Sequence, residues 1–166
     1  MKVEEVCTRA VKSCTPETSV ADAADLMSEG DFGSLPVVDE AGKVLGVVTD
    51  RDLCMALALT GQPAPDLPVR VVLHPVLHTC RPADGVRDAL RLMRIHKVRR
   101  LPVVDGAGIL QGMVSFTDLA LAARPDRLAG SADVTDEDIA LALKSISARK
   151  RPEESLIPAP PTTAVV

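Results

Sequence analysis

The sequence predicts an α/β fold of the α+β type, in which two β-α-β-β-α units pack with pseudo-two-fold symmetry and a C-terminal helix and disordered tail follow. Three observations support this prediction. Shifted by 66 residues, the chain matches itself without a gap, and 18 of the 40 positions from Cys14 to Leu53 are identical. Each copy alternates short apolar segments with turn residues. A proline-rich segment separates the two copies.

The repeat divides the chain into five parts. The first unit covers residues 1–60 and the second covers 69–125, with a linker at 61–68 between them. A helical extension at 126–150 and a tail at 151–166 follow. The tail is rich in proline, alanine and threonine, a composition that predicts disorder. One unit alone cannot bury both faces of so small a sheet, so the two units are expected to pack on each other.

The first half of each unit is predicted to be an extended segment followed by a helix. In the first copy the segment covers residues 10–13, and Ser19 caps a helix that stops near Gly30. The matching segment of the second copy covers residues 76–79. Apolar residues recur at helical spacing along the first helix and define its predicted buried face: Val20, Ala23, Ala24, Leu26 and Met27.

The second half of each unit is predicted to be a hairpin followed by a second helix. In the first copy the strands cover residues 35–38 and 44–49, a turn joins them, and the helix covers 50–59. After the second copy, Thr135 is expected to cap a helix that runs from 136 to 150. The predicted apolar face of this last helix is Ile139, Ala140, Leu143 and Ile146.

Composition and charge exclude several classes of function. The chain has two Phe, no Tyr and no Trp, so it has almost no rings on which to stack a single-stranded nucleic acid. Its net charge of -4 argues against nucleic acids and anionic membranes as partners. The apolar stretches are too short to span a bilayer, and acidic residues stand where a signal peptide carries basic ones. We therefore expect a cytoplasmic protein with no nucleic-acid or membrane partner.

The four cysteines show neither a CxxC pair nor zinc-ligand spacing with histidine: Cys7, Cys14, Cys54 and Cys80. In a cytoplasmic chain they are expected to be small buried apolar residues. The alternative is a redox-sensing thiol, or a disulfide between the equivalent residues Cys14 and Cys80.

Two motifs recur in both copies. Leu-Pro-Val-Val-Asp precedes the hairpin turn at 35–39 and 101–105, and Gly-h-h-[Ser/Thr]-x-x-Asp follows it at 46–52 and 112–118, where h is apolar. Over about residues 3–123 this arrangement resembles a tandem of cystathionine-β-synthase (CBS) domains, also called a Bateman module. The resemblance implies a stand-alone pair that binds an adenosine-containing ligand in clefts between the two copies. It implies no catalysis and no required cofactor, the adenine nucleotide being a regulatory ligand.

The second motif supplies the first candidate ligand residues. Asp52 and Asp118 lie in the first turn of a predicted helix, where a carboxylate is favoured by the helix dipole and can accept from ribose hydroxyls. Thr49 and Ser115 lie at the strand-to-helix corner, where a hydroxyl and free N–H groups can meet a phosphate. The alternative for all four is helix capping, the usual role of these residue types.

The first motif and the extended segments supply the remaining candidates. Pro36 and Pro102 lack a backbone donor, which leaves the preceding main chain free to meet a ligand. The resemblance implies that the residues lining this part of the pocket are Gly33 and Ser34 in the first copy, and Arg99 and Arg100 in the second. It also places Ser13 and Thr79 near the base, where the alternative is an ordinary exposed residue.

Charge distinguishes the two copies. Residues 1–60 carry a net charge of -6, whereas residues 61–125 carry +4. A basic cluster in the second copy contains Arg94, His96, Lys97, Arg99 and Arg100. It is either a solvated helix end or a phosphate clamp in which Arg100, with Arg99, meets a di- or triphosphate. The first copy has Gly33 and Ser34 at the matching positions, where Arg51 is the local cation, so the two sites are expected to differ in affinity.

The leading hypothesis is a regulatory module that binds AMP, ADP, ATP or S-adenosylmethionine and signals in trans to an unknown protein target. Its second helices are apolar around much of their surface, so a homodimer is expected. The alternative is a dimeric interaction scaffold without an obligatory nucleotide. An enzyme is not expected, because no metal cluster, nucleophile–base set or P-loop occurs in the sequence.

Overall fold

The computed structural model describes residues 1–73, 76–125 and 133–148. This part of the chain forms two antiparallel two-stranded sheets and five α-helices, which confirms the predicted mixed α/β fold. The strands are β1 (Ser34–Val38), β2 (Val44–Thr49), β3 (Arg100–Val104) and β4 (Leu110–Ser115). The helices are α1 (Val20–Gly30), α2 (Asp50–Thr60), α3 (Val86–His96), α4 (Phe116–Ala122) and α5 (Asp136–Ser147). The predicted tail at 151–166 lies outside the described residues.

The extended segment of each unit is shorter than the sequence suggests. Instead of a ladder it forms one parallel bridge, in which Cys14 N–H donates to the Pro36 carbonyl at 3.1 Å and Val38 N–H donates to the Cys14 carbonyl at 2.8 Å. A longer parallel ladder needs the N–H groups of Pro16 and Pro36, which proline lacks. Cys80 and Val103 form the equivalent bridge in the second unit. Residues 10–13 and 76–79 are therefore not strands.

Each unit is completed by the chain segment that leads into the other unit. Val3 is fully buried in the core built by α3, β3, β4 and α5, and its N–H donates to the Asp84 carbonyl at 2.9 Å. Val69 is fully buried in the core built by α1, β1, β2 and α2, and its N–H donates to the Thr18 carbonyl at 2.8 Å. Leu67, from the predicted linker, is buried in the same core. This exchange of leading segments ties the two units together.

The two hairpins also meet at their turns. Val44 N–H donates to the Gly108 carbonyl and Leu110 N–H donates to the Gly42 carbonyl, both at 3.0 Å. These bonds are related by the same 66-residue shift as the sequence repeat. The expected packing of the units with pseudo-two-fold symmetry is therefore present in the main chain.

Helix ends follow the capping residues closely. Ser19 Oγ accepts from Asp22 N–H at 3.0 Å and α1 ends at Gly30, both as predicted. The residue in the left-handed conformation after the helix is Asp31, at φ 52°. Thr135 caps α5 by accepting from Asp138 N–H at 3.1 Å.

The predicted face of α5 was partly wrong, because Ala140 and Leu143 are exposed. Ile146 is buried as predicted, and Ala142, which the prediction left out, is buried with it in the core that contains α3.

The predicted face of α1 also needs one correction. Val20, Ala23 and Met27 are buried, and Leu26 packs at the edge of the same core. Ala24 is exposed to solvent. This narrower apolar face packs on β1, on α2 and on the segment Ala64–Asp66.

Candidate functional site

The turn from β2 into α2 is closed by a reciprocal pair of hydrogen bonds. Thr49 N–H and Thr49 Oγ1 donate to Asp52 Oδ2 at 2.9 and 2.7 Å, and Asp52 N–H donates back to Thr49 Oγ1 at 3.2 Å. This capping box satisfies N–H groups at the start of the helix that have no partner within it. It also fixes the rotamer of the aspartate.

The turn from β4 into α4 repeats this arrangement. Ser115 N–H and Ser115 Oγ each donate to Asp118 Oδ2 at 2.8 Å, and Asp118 N–H donates to Ser115 Oγ at 3.1 Å. The capping role that the sequence offered as the alternative is thus present in both units. In each box the aspartate side chain accepts these hydrogen bonds with Oδ2. Asp52 and Asp118 both remain half-exposed while they cap their helices.

The start of the facing strand brings the other candidates beside each turn. Ser34 lies opposite Thr49 in the β1–β2 register, and Arg100 lies opposite Ser115 in the β3–β4 register. We call the group Gly33, Ser34, Thr49 and Asp52 the first corner. The second corner is Arg99, Arg100, Ser115 and Asp118.

The remaining predicted residues lie around these corners. Arg51 is exposed in the first turn of α2, next to Asp52. Pro36 and Pro102 are buried two residues further along their strands. Ser13 and Thr79 are half-buried and directly precede Cys14 and Cys80, the residues that bridge to those strands.

One polar atom at the first corner is buried without a hydrogen bond. Ser34 is 5% exposed, and its Oγ has no partner within the described ranges, where it is the one buried side-chain oxygen or nitrogen in this state. An unpaired buried hydroxyl is costly, and native proteins rarely tolerate one without a ligand or ordered water. A bound molecule at the first corner can satisfy it.

The two corners differ sharply in charge. At the first corner a Cβ on Gly33 would lie 2.9 Å from Asp50 Oδ2, so only glycine allows this carboxylate to approach the strand so closely. At the second corner Arg99 is exposed and Arg100 is half-buried, and neither forms a salt bridge with any residue that the structure describes. Asp50 was missed by the sequence analysis, although its place opposite Gly33 follows from the hairpin register.

A pair of histidines was also missed. His78 and His96 stack with their ring centroids 3.5 Å apart and their planes at 17°. Burial and the nearby His96 ring lower the pKa of His78. The sequence offered no signal for this contact, because the two residues are 18 positions apart on different elements.

The cysteines only partly follow the prediction. Cys14 and Cys80 are buried, and burial raises the pKa of Cys14 to about 11 and that of Cys80 to about 12. Both are therefore unreactive thiols at neutral pH. Cys54 is exposed and Cys7 is half-buried, so burial was wrong for Cys54. All four are free thiols, which excludes the Cys14–Cys80 disulfide from this structure.

A groove of about 490 Å³ lies between α3 and α5, away from both corners. Its lining includes Arg87, Arg91, Arg94 and Asp138. None of the predicted ligand residues lines it. Within the described ranges, no three metal-ligating side chains come together, and no helix is long and apolar enough to cross a membrane.

Comparison with known proteins identifies the fold family. The family model described as CBS domain matches twice, at residues 3–59 and 69–124. The chain belongs to the CBS domain family. The CBS domain-containing protein YhcV of Bacillus subtilis is 34% identical over 130 residues, which cover 78% of this chain and 91% of that protein.

Two further matches show where CBS pairs occur. Inosine-5'-monophosphate dehydrogenase of Nitrosopumilus maritimus is 32% identical over 107 residues, 64% of this chain but only 21% of that enzyme. The crystal structure of CBSX2 in complex with AMP superimposes with a TM-score of 0.64 at 30% identity, covering 73% of this chain and 94% of that one. The CBS pair is thus shared with an enzyme in one case and with an AMP-binding protein in the other.

Proposed function

We propose that this CBS pair is a regulatory module that binds an adenosine-containing ligand at its two corners, in clefts between the units, and signals in trans. The observation that carries the proposal is the unpaired Ser34 Oγ, buried beside a carboxylate-bearing turn. The AMP complex of CBSX2 supports the same ligand class. The candidates are AMP, ADP, ATP and S-adenosylmethionine.

Each corner offers a set of groups suited to one part of such a ligand. Asp52 and Asp118 accept from the ribose hydroxyls, and the capping boxes hold both carboxylates in place before the ligand arrives. The base lies against Pro36 and Pro102, with no aromatic stack. Ser13 and Thr79 reach its polar edge. The main chain at residues 33–34 and 99–100 completes the pocket.

Phosphate recognition differs between the corners. Arg99 and Arg100 at the second corner present guanidinium groups free of salt bridges within the described chain, which suits a di- or triphosphate. The first corner has Asp50 close to Gly33, and the cation next to it along the chain is Arg51. We therefore infer tighter phosphate binding at the second corner.

The output of this module acts on other molecules. We infer that the chain is not an enzyme, requires no cofactor, and works in the cytoplasm as a homodimer that contacts an unidentified protein target. Apolar side chains on α2 and α4 support the dimer: Met55 is 41% exposed, Leu59 71% and Leu121 82%. Such residues are the usual core of an interface between subunits.

Calorimetry with a matched capping control tests ligand binding. AMP, ADP, ATP and S-adenosylmethionine are titrated into the full chain, and at least one is expected to bind with a Kd below about 1 mM. Asp118→Ala is expected to weaken that binding by about 10- to 100-fold, through the loss of charged hydrogen bonds. Asp138→Ala removes the equivalent capping box of α5, which belongs to neither corner, and is expected to leave the Kd unchanged.

One observation favours the alternative of an interaction scaffold without an obligatory nucleotide. The capping boxes satisfy the starts of α2 and α4 without any bound molecule, so the fold itself does not need a ligand. If none of the four compounds binds and the chain still forms a dimer, the scaffold is the correct function. Equal effects of Asp118→Ala and Asp138→Ala on binding mean that Asp118 acts only as a cap.

A further inference from the structure

The His78–His96 stack joins two elements that meet beside the second corner. His78 lies in the segment that leads into the Cys80 bridge, and His96 is the last residue of α3. Thr79, the residue proposed to contact the base, lies between His78 and Cys80. This segment is fixed at one end by Cys80 N–H, which donates to the Pro102 carbonyl at 3.0 Å. The stack fixes it again, one residue before Thr79.

The first unit uses a different contact at the matching place. Lys12, the equivalent of His78 in the repeat, donates to Glu29 Oε2 at 2.6 Å near the end of α1. That ion pair ties the segment before Cys14 to α1, just as the histidine stack ties the segment before Cys80 to α3. The Lys12 bond also lowers the pKa of the Glu29 carboxyl, so the pair keeps its charges at mildly acidic pH.

The surroundings of the stack oppose its protonation. Two imidazolium rings in van der Waals contact repel each other. The charged residues at the end of α3 and just after it are basic: Arg94, Lys97 and Arg99, with Lys144 in the last turn of α5. Asp84 precedes the start of α3, and the acidic residues of both helices lie in their first turns, at the opposite end from His96: Asp88, Asp136, Glu137 and Asp138. Neither ring forms a salt bridge within the described chain. The favourable dipole at the end of α3 opposes this repulsion only in part.

The direction of the pH effect follows from the lowered pKa of His78. A histidine whose pKa is lower in the folded state adds stability above the unfolded value of 6.5, and this contribution is lost as the pH falls below that value. The Lys12–Glu29 pair loses its charge only near the much lower pKa of a carboxyl group. Mild acid is therefore expected to weaken the His78–His96 contact of the second unit and to leave the Lys12–Glu29 pair of the first unit unchanged.

We propose that the His78–His96 stack is a proton-sensitive clamp that loosens the segment carrying Thr79 below about pH 6.5 and thereby weakens ligand binding at the second corner alone. The regulatory part of this statement rests on the proposed function. The clamp itself does not, because it concerns only the contact between the segment and α3.

Hydrogen exchange without ligand tests the clamp directly. The full chain is compared at pH 7.5 and 5.5, with rates corrected for the intrinsic effect of pH. The Cys80 amide is expected to lose several-fold of its protection at pH 5.5, because a protonated His78 repels the His96 ring and the cations beside it. The Cys14 amide, bonded to the Pro36 carbonyl at 3.1 Å, is the internal control and is expected to keep its protection. Equal behaviour of the two amides overturns the clamp.

A graft of the first unit's ion pair is the matched variant. His78→Lys with Ile95→Glu places a Lys–Glu pair at the equivalent positions, and Ile95 is 59% exposed, so its replacement leaves the core intact. The pH effect on Cys80 is expected to disappear in this variant. His96→Gln alone removes the second ring of the stack and is expected to reduce the pH effect, since burial of His78 remains. A pH effect that persists undiminished in both variants overturns the proposal.

AMP affinity at the two pH values tests the regulation. Because a phosphate monoester itself titrates near pH 6, the measured quantity is the ratio of the Kd of the wild-type chain to that of the grafted variant. This ratio is expected to rise between pH 7.5 and 5.5, because the clamp loosens in the wild-type chain and not in the grafted variant. An unchanged or falling ratio overturns the regulation. If AMP binds at neither pH while the difference in exchange persists, the proposed function fails and the clamp stands.

Discussion

The two units share their main-chain hydrogen bonds but differ in the side chains around their corners. Val69 N–H to Thr18 and Val3 N–H to Asp84 are equivalent bonds, as are those of the two capping boxes. Around the corners, in contrast, the first unit has Gly33, Ser34, Asp50 and the Lys12–Glu29 pair, and the second has Arg99, Arg100, Phe116 and the His78–His96 stack.

This difference teaches where the repeat is constrained. The shared positions are apolar, proline, glycine and capping residues, and these determine the strands, the helices and the contact between hairpins. The differing positions include those proposed to meet the phosphate groups or a proton, whereas the residues proposed for the ribose and the base are of the same type in both units. The same main-chain structure therefore carries two corners with different side-chain chemistry. Experiments can test this contrast, from the largest expected effect to the smallest.

The largest effect is expected where the units exchange their leading segments. Thr8 and Met113 exchange two hydrogen bonds of 2.9 Å, and a Cβ on Gly112 would lie 2.6 Å from the Thr8 carbonyl oxygen. Gly112→Ala is expected to push the leading segment off β4 and to lower the free energy of unfolding by about 1–3 kcal/mol, the usual cost of overpacking. Urea unfolding measures this loss.

Gly106→Ala is the control for this experiment. Gly106 lies in the turn between β3 and β4, where an added Cβ meets no atom within 4 Å. Its replacement is expected to change the free energy of unfolding by less than about 0.5 kcal/mol, as for an ordinary surface position. A cost for Gly112→Ala as small as this would mean that the leading segment is not part of the second unit in solution.

The hairpins, helices and caps were predictable because their signals are local. A hydroxyl residue followed three positions later by aspartate marked α1, α2, α4 and α5, and all four are capped in this way. The register of each hairpin then brought Ser34 to Thr49 and Arg100 to Ser115. The residues that form each corner could therefore be predicted from these local patterns together with the repeat.

The parts that could not be predicted depend on contacts between distant segments. An apolar residue such as Val3 or Leu67 is marked as buried by its type, but nothing local states which unit it enters. The histidine stack is of the same kind. The segments at 10–13 and 76–79 were wrongly predicted as strands for another reason. The missing donors of Pro16 and Pro36 matter only once the segment of the first unit and β1 are known to be parallel neighbours.

The next effect in size concerns phosphate recognition. Replacing Arg99 and Arg100 by the glycine and serine of the first corner is expected to weaken binding of ATP by about 10-fold, because the double variant loses charged hydrogen bonds to phosphate. Binding of adenosine, which has no phosphate, is expected to change little. The measurement is calorimetry with both ligands on the same two proteins.

Arg124→Gly is a matched control, since Arg124 is an exposed arginine of the second half that lies after α4. It lowers the net charge without touching the corner. An equal loss of ATP affinity in this variant would show that the overall positive charge of the second half acts on the ligand, with no specific contact from Arg99 or Arg100.

The smallest effect concerns α5, which packs against the second unit and has no counterpart in the first. Arg87 donates to Asp138 Oδ2 at 2.9 Å across the groove between α3 and α5. Burial opposes ionisation of Asp138, but hydrogen bonds from Arg87 and Thr135 outweigh it and lower the pKa of the carboxyl. A carboxyl with a lowered pKa stabilises the fold above its unfolded value of 3.8, and this contribution is lost as the pH falls through the folded value.

Asp138→Asn is therefore expected to cost about 0.5 kcal/mol of unfolding free energy at pH 6, in the range of partly exposed ion pairs. The difference from the wild-type chain is expected to shrink between pH 4 and pH 2, as Asp138 itself becomes neutral. Urea unfolding of both proteins across this range gives the measurement. The ion pair with Arg87 requires an ionised carboxylate and is lost when Asp138 is protonated. A difference in unfolding free energy that stays constant down to pH 2 would therefore mean that the substitution acts by changing the geometry of the helix cap.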